Sequence, residues 1–393
     1  MSVLVASSQT IPEPQILPVS TPPPTIKFAP WRDVQQTEDS SEYVEEFPSP
    51  AVSPVAVNNV VPLRVFVPAS ADGPVPVVLI LHYWGATDLR SERSLALELN
   101  RSGIGAAIMT LPYHLTRTPV GRKSGELALE PDPKRLAATM SQATLDARRA
   151  IDFLQTRPEF QKQPIGICGT SLGALVASLT YAVDDRITHA TFVLGGVNLA
   201  HIIWSSSLVV RQRDILRRHG FTEDKLAEAI KSIEPLNYLA NRKPGSSFVV
   251  GGQYDTVIPK VCTDELISAL DSPKILWLDT GHYGGIFVQR KIMREVSKYF
   301  ASEFGGKAFQ PPKALYAPTI RLGGKIDTGN GFDLGVGLDL IKFDRLGNRF
   351  STLFLTPRGV QLFIGQTISN GLSFGLVGST HKAGIGLVWS TVL

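Results

Sequence analysis

One serine stands between two glycines in the segment Gly169-Thr170-Ser171-Leu172-Gly173. A serine hydroxyl is a poor nucleophile unless a neighbouring base removes its proton during attack. The Gly-x-Ser-x-Gly pattern is typical of a tight turn from a strand into a helix, which exposes the hydroxyl at the top of a sheet. An apolar run, 165–168, precedes this serine, and small helix-forming residues follow it. The context favours Ser171 as a nucleophile over a serine in an ordinary turn.

Such a nucleophile needs a histidine base and a carboxylate that holds the imidazole in the right tautomer. In the fold to which this serine turn belongs, the expected chain order is serine, acid, histidine, each at the end of a strand. Asp255 follows the apolar run 248–251, and His282 follows 275–278. Asp279, three residues before His282, is the competing acid, and we prefer Asp255. The other histidines do not fit this order: His114, His189, His201, His219 and His381.

Acyl transfer also requires backbone N–H groups aimed at the charge that develops on the substrate oxygen. Leu172, directly after the serine, is expected to supply one of them. The second is expected from the loop His82-Tyr83-Trp84-Gly85, which follows an apolar strand. Tyr83 and Trp84 are both candidates for that second donor, and the sequence does not decide between them.

Four aromatic residues are candidates for contacts with substrate. The side chains of Tyr83 and Trp84 could line an acyl or alcohol pocket, and Tyr254 precedes Asp255. Tyr113 lies in the loop 111–119, again after a strand. A purely structural role for that loop, anchored by its prolines and arginines, is the favoured alternative.

Residues from about 60 to 305 resemble the α/β-hydrolase superfamily, in its esterase and dienelactone-hydrolase-like branch. The matching pieces are the loop 82–85, the motif 169–173, Asp255 with Ile258-Pro259 behind it, and Gly281-His282. One departure is Tyr83, which stands where many members have glycine. The resemblance implies hydrolysis of a small-molecule carboxylic ester through an acyl-enzyme, without a metal or organic cofactor. A thioesterase, a peptidase of this fold and a cell-envelope or binding protein are the alternatives.

The hydropathy pattern predicts the fold class independently of the motif. Short apolar strands alternate with segments of helical period, as in the helix that Pro133 opens. Strands that alternate with helices imply crossover connections and a mostly parallel sheet flanked by helices. Together with the resemblance, this pattern predicts that residues 40–310 form an α/β-hydrolase domain. A largely helical insertion at 197–245 is either a packing layer or a cap over the active site.

The two ends of the chain differ from this middle. Residues 1–39 are rich in proline, serine and threonine and are expected to form a disordered tail. Residues 315–393 alternate in hydropathy with period two, which predicts an antiparallel β-meander of about five strands. Turn signals separate its strands at 346–348, 357–359 and 369–371. Five strands are too few to close a barrel, so a soluble or oligomerising sheet is expected, with membrane contact as the alternative.

Composition excludes several classes of protein. The hydrophobic fraction is 43%, the charged fraction 19% and the formal net charge +4, and the basic residues are scattered. A nucleic-acid-binding module is therefore not expected. The two cysteines, Cys168 and Cys262, cannot supply a disulfide framework. With no apolar stretch long enough for a transmembrane helix and no clear signal peptide, a cytoplasmic location is the default expectation, and the cell envelope is the alternative.

Overall fold

The computed structural model describes residues 16–242, 245–328, 331–343, 348–369, 371–380 and 382–392. Parts of the predicted tail and turns, at 1–15, 344–347 and 370, lie outside these residues. The strands are β1 (Arg32–Gln36), β2 (Ser40–Pro48), β3 (Val60–Pro68), β4 (Val77–Leu81), β5 (Gly105–Met109), β6 (Ile165–Thr170), β7 (Ile187–Val193), β8 (Ser247–Gly252), β9 (Lys274–Leu278), β10 (Ala314–Leu315), β11 (Ile320–Asp327), β12 (Gly331–Lys342), β13 (Arg349–Thr356), β14 (Gly359–Ser369), β15 (Leu372–Gly378) and β16 (Ala383–Val392). The helices are α1 (Arg90–Arg101), α2 (Pro133–Thr156), α3 (Leu172–Val183), α4 (Leu199–Ser205), α5 (Val210–Arg218), α6 (Glu223–Ile230), α7 (Lys260–Ala269) and α8 (Gln289–Phe304).

A ten-stranded sheet organises residues 16–315, which we call the α/β domain. Its strand order is β1-β2-β3-β5-β4-β6-β7-β8-β9-β10. Strands β1, β2 and β3 are antiparallel to their neighbours, and all pairs from β5 to β10 are parallel. The central strands are buried along their whole length, as their continuous apolar sequences require. This is the predicted α/β-hydrolase architecture, and the prediction is confirmed.

Helices cover both faces of the sheet and create two separate cores. Helices α2, α3 and α7 bury apolar side chains in one core, and α1 and α8 in the other. Asp132 caps α2 by accepting hydrogen bonds from the N–H groups of Lys134 and Arg135, and Pro133 occupies the first turn, where it costs no hydrogen bond. No helix in the described residues is long and apolar enough to cross a membrane.

Residues 16–39 pack on the rest of the α/β domain, so the expectation of a disordered tail is wrong for this part of the chain. Val19 is buried, and the Val19 carbonyl accepts a hydrogen bond from Arg148 at 2.6 Å. Trp31 stacks on Tyr43 with ring centroids 4.2 Å apart, and β1 adds an edge strand. The proline-rich composition predicts little apolar burial. Arginines of α2 nevertheless hold this extended segment, because they donate hydrogen bonds to its carbonyl oxygens.

The insertion 197–245 is mainly a helical packing layer. Leu216, Leu226 and Ile230 are buried in the core that α2 and α3 share. The insertion also reaches toward Ser171, because Leu208 lines the cavity described below.

Strands β11–β16 form a closed antiparallel barrel, residues 320–392, which we call the barrel. The predicted β-meander is confirmed, but the expectation of about five strands in an open sheet is wrong. A sixth strand, β16, pairs with both β15 and β11 and closes the ring. Residues 314–315 instead form β10 at the edge of the large sheet, so the barrel begins at Ile320 and not at residue 315.

A buried ion pair ties the loop after β5 to α2. Arg117 is inaccessible to solvent, lies 2.8 Å from Asp146, and donates to the carbonyl oxygens of Thr110 and Asn58.

Replacing Arg117 by methionine leaves a buried carboxylate without its cation, so we expect a loss of about 3–5 kcal/mol in the free energy of unfolding. Urea denaturation measures this loss. Arg122→Met, which removes an exposed pair with Glu126, is the control and should cost no more than about 1 kcal/mol. Equal losses in the two variants would contradict the assignment.

Candidate active site

Ser171 occupies a strained turn between β6 and α3. Its backbone has φ 53° and ψ −116°, a region that side-chain-bearing residues rarely adopt. A Cβ on Gly169 would lie 2.1 Å from the Gly173 carbonyl oxygen, and a Cβ on Gly173 would lie 2.2 Å from the Leu81 carbonyl oxygen. Both positions therefore require glycine for the close approach of strand and helix. This explains why the predicted motif has glycines two residues before and two residues after the serine.

The structure brings Ser171, His282 and Asp255 together from three different loops. The Nε2 atom of His282 lies 2.9 Å from the Ser171 hydroxyl, and its Nδ1 lies 2.7 Å from Oδ2 of Asp255. The other carboxylate oxygen, Oδ1, accepts the N–H groups of Val257 and Ile258, both at 2.8 Å. An ionised carboxylate can only accept, so the His282 proton lies on Nδ1 and Nε2 is free to accept from the serine.

The candidate oxyanion donors are the backbone N–H groups of Leu172, Tyr83 and Trp84. Leu172 is the first residue of α3, so its N–H is among those that intrahelical bonds leave unused. Tyr83 and Trp84 both line the cavity in front of Ser171. The indole of Trp84 is held by a 2.8 Å hydrogen bond to the Gly125 carbonyl oxygen. The choice between the Tyr83 and Trp84 N–H groups stays a prediction.

His82 fixes the start of this loop as a neutral imidazole. Its Nε2 accepts the N–H of Leu111 at 3.0 Å, so its Nδ1 carries the proton that it donates to the Tyr83 carbonyl oxygen at 2.8 Å. Burial, reinforced by nearby His114, lowers the pKa of His82 to about 3. The loop anchor therefore keeps its hydrogen bonds throughout the neutral pH range.

A mostly apolar cavity of about 590 Å³ opens in front of Ser171 and His282. Helix α8 contributes Ile292, Met293 and Val296 to its wall. Leu208 from the insertion and Ile320 from the first position of the barrel complete it. Sequence reasoning missed these five residues, because each is far from the motif along the chain and only the folded sheet brings them to its edge.

Two of the predicted substrate contacts, Tyr113 and Tyr254, do not lie in this cavity. The Tyr113 hydroxyl is within 3.0 Å of the Ser53 hydroxyl, and its ring is buried in the core. Tyr254 lies under the ammonium of Lys342, 4.0 Å from the ring centroid, near a separate open groove. The competing acid Asp279 is also turned away from His282 and pairs with Lys342 at 3.1 Å. The structure therefore corrects both tyrosine placements.

Glu92 is an acid in the cavity wall that the sequence did not reveal. It is 4% exposed, and its Oε2 atom has no hydrogen-bond partner among the described residues. Burial raises the pKa of Glu92 to about 7. The carboxyl is therefore largely neutral below that pH, which suits an otherwise apolar wall.

This raised pKa makes the stability depend on pH. Between about pH 4.5 and 7 the folded Glu92 keeps its proton while the unfolded chain has lost it, so stability falls as the pH rises through this window. We expect Glu92→Gln to gain stability relative to wild type between pH 4.5 and 7, at about 1.4 kcal/mol per pH unit at most. Urea unfolding of both proteins at several pH values measures the gain. Parallel pH profiles would show that Glu92 has an ordinary pKa.

Comparisons with known proteins agree with this fold. No protein-family model matches the chain. A protein of Bacillus subtilis (strain 168) called "Putative hydrolase YtaP" is 25% identical over 253 residues, covering 59% of this chain and 81% of that protein.

Among solved structures, the chain is similar to the acetyl xylan esterase from Paenibacillus sp. R4, with a TM-score of 0.55 and 19% identity over 69% of this chain and 88% of that one. Acetyl xylan esterase 1 from Thermoanaerobacterium sp. JW/SL YS485 gives a TM-score of 0.54 and 16% identity over 69% and 89%. The shared feature is the fold of the α/β domain. The resemblance to the α/β-hydrolase fold is confirmed at that level.

Proposed function

We propose that this protein is a serine hydrolase that cleaves carboxylic esters through an acyl-enzyme. The observation that carries the proposal is the hydrogen-bonded chain from Asp255 through His282 to Ser171, at the floor of an apolar cavity. The likeness of the fold to two acetyl xylan esterases and to a protein named as a hydrolase supports the same class of reaction.

In the first half-reaction the Ser171 oxygen attacks the ester carbonyl carbon while Nε2 of His282 takes the hydroxyl proton. Asp255 holds the imidazole and stabilises the imidazolium that forms. The Leu172 N–H, with an N–H from Tyr83 or Trp84, binds the oxygen that becomes negative. His282 then donates the proton to the leaving alcohol, and an ester of Ser171 remains.

In the second half-reaction water replaces the alcohol. His282 removes a proton from the water as the water attacks the acyl carbon, and the same donors stabilise the second tetrahedral intermediate. Protonation of the Ser171 oxygen by His282 releases the carboxylic acid. Every step uses side chains and backbone groups of this chain.

The cavity favours an ester with an apolar group over a charged one. Its wall is mostly apolar, with several side chains from α8 and one, Leu208, from the insertion, and its acid, Glu92, is largely neutral below pH 7. A volume of about 590 Å³ holds a group far larger than acetyl. We therefore propose that the substrate carries an aliphatic chain of several carbons.

The triad is tested by single substitutions. Ser171→Ala and His282→Gln should each lower kcat for a p-nitrophenyl ester by about 10⁴-fold or more, and Asp255→Asn by about 10⁴-fold. Asp279→Asn is the matched control for the acid and should keep wild-type activity.

A fluorophosphonate should label wild type and not Ser171→Ala. If wild type does not label, or if Ser171→Ala still labels, the mechanism is wrong.

The size of the cavity is tested by a series of esters. Between p-nitrophenyl acetate and hexanoate, kcat/KM should rise by up to roughly fourfold per methylene, the free-energy value of one buried CH₂ group. Met293→Trp should shorten the preferred chain, while the volume-conserving Met293→Leu should leave the profile unchanged. A preference for acetate in wild type would contradict an aliphatic substrate.

A further inference from the structure

The barrel has an apolar outside, the reverse of what a sheet in water presents. Side chains alternate in and out along each strand, and the outward positions are almost all aliphatic or aromatic. One representative from each strand has between 39% and 63% of its surface exposed: Leu322, Val336, Leu355, Ile364, Leu376 and Leu387. The largest apolar patch on a typical monomer is roughly 300–600 Å², and a belt drawn from all six strands exceeds it.

The inside of the barrel carries buried ion pairs beside a small apolar cluster, which consists of Phe350, Phe354, Phe363, Val377 and Val388. Arg321 pairs with Asp339 at 2.7 Å, and Lys325 pairs with Asp327 and Asp333. These five side chains are between 1% and 9% exposed. A small barrel in water would keep its charged side chains outside and its aliphatic side chains inside. Here charged pairs are enclosed, and most of the aliphatic side chains face outward.

The hydrocarbon of a bilayer offers no hydrogen-bond partner to a backbone N–H or C=O group, so these groups must pair within the protein. The closed ring of strands meets this condition. Each strand from β11 to β16 pairs with two neighbours, so the barrel has no open edge with unpaired N–H and C=O groups. Closed barrels are one of only two structures that meet this condition in a lipid bilayer.

The belt also has dimensions that suit a bilayer. From Phe332 to Leu340 the outward positions of β12 advance about 27 Å at about 3.4 Å per residue. At a strand tilt of about 40° this is about 20 Å along the barrel axis, near the apolar band of about 25 Å of outer-membrane barrels. Trp389, 65% exposed, lies toward the end of β16 nearest the α/β domain, where interfacial tryptophans are expected.

The α/β domain sits at one end of the barrel and leaves its circumference open. Lys342, at the end of β12, pairs with Asp279, and the Thr256 hydroxyl donates to the Val392 carbonyl oxygen at 2.5 Å. The turn at 357–358 and residues 379–380 lie at the opposite end. A second copy of the chain could cover only the strands that face it, whereas an apolar belt on all six strands needs a medium that surrounds it.

We propose that the barrel is a lipid anchor, whose outer face binds the hydrocarbon of a bilayer while the α/β domain stays at the membrane surface. The occupant of the belt is lipid. The anchor does not depend on the proposed hydrolase activity, and its test uses no enzymatic readout.

Flotation with vesicles tests the anchor. The full chain, purified in a mild detergent, is reconstituted with phosphatidylcholine vesicles by removal of the detergent and floated through a density gradient after a high-salt wash. Wild type should float with the vesicles. Val336→Arg/Ile364→Arg, which places two charges in the belt, should reduce the floated fraction at least tenfold. Val120→Arg, at a fully exposed position of the α/β domain, is the matched control and should float like wild type.

Tryptophan fluorescence gives a second measurement that needs no charged variant. Vesicles of brominated phosphatidylcholine should quench the part of the emission that Trp389→Phe removes. Circular dichroism of each variant checks that the sheets have formed. The proposal is overturned if wild type stays at the bottom of the gradient, if the double variant floats as well as wild type, or if Trp389 is not quenched. Wild type that stays at the bottom as a discrete oligomer would assign the belt to a second copy instead.

Discussion

The geometry of the candidate site depends on one strained residue. Ser171 has a positive φ, and it is held there because α3 begins immediately after β6 and packs against the end of β4. Neither Gly169 nor Gly173 has room for a methyl group, so the strain is imposed by the close contact of strand and helix. The result is a hydroxyl that points out of the sheet toward His282. A relaxed turn at this position would withdraw the hydroxyl from its base.

Parallel pairing of the strands brings Asp255 and His282 to the same edge of the sheet as Ser171. Strands β6, β8 and β9 end at the same edge of the sheet, and the loops that follow β8 and β9 carry Asp255 and His282. The two N–H groups that bind Asp255 hold its carboxylate in place, so the orientation of the imidazole is set before substrate arrives. The cavity is then completed by α8, the insertion and the start of the barrel.

The features that could be predicted from the sequence are those that short motifs and the order of residues along the chain specify. The proximity of Ser171, Asp255 and His282 could be predicted because each follows an apolar strand in the order that the fold uses. Tyr113 and Tyr254 failed as cavity residues because proximity to a strand end does not tell which way a side chain points. Hydropathy that alternates with period two identified the strands of the barrel. Such a pattern does not tell which set of side chains faces the inside. Only the closed barrel, in which β16 pairs with β11 and encloses Lys325 and Arg321, shows which set of side chains faces the inside.

The most direct test of a nucleophilic Ser171 is to trap the covalent intermediate. Wild type is mixed with p-nitrophenyl acetate, quenched in acid within the first turnover, digested and mapped by mass spectrometry. The mechanism predicts one acetyl group on the peptide that contains Ser171, accumulating at the rate of the p-nitrophenol burst and disappearing as substrate is exhausted. Release of p-nitrophenol with no acetylated peptide, or with acetyl on another residue, would contradict it.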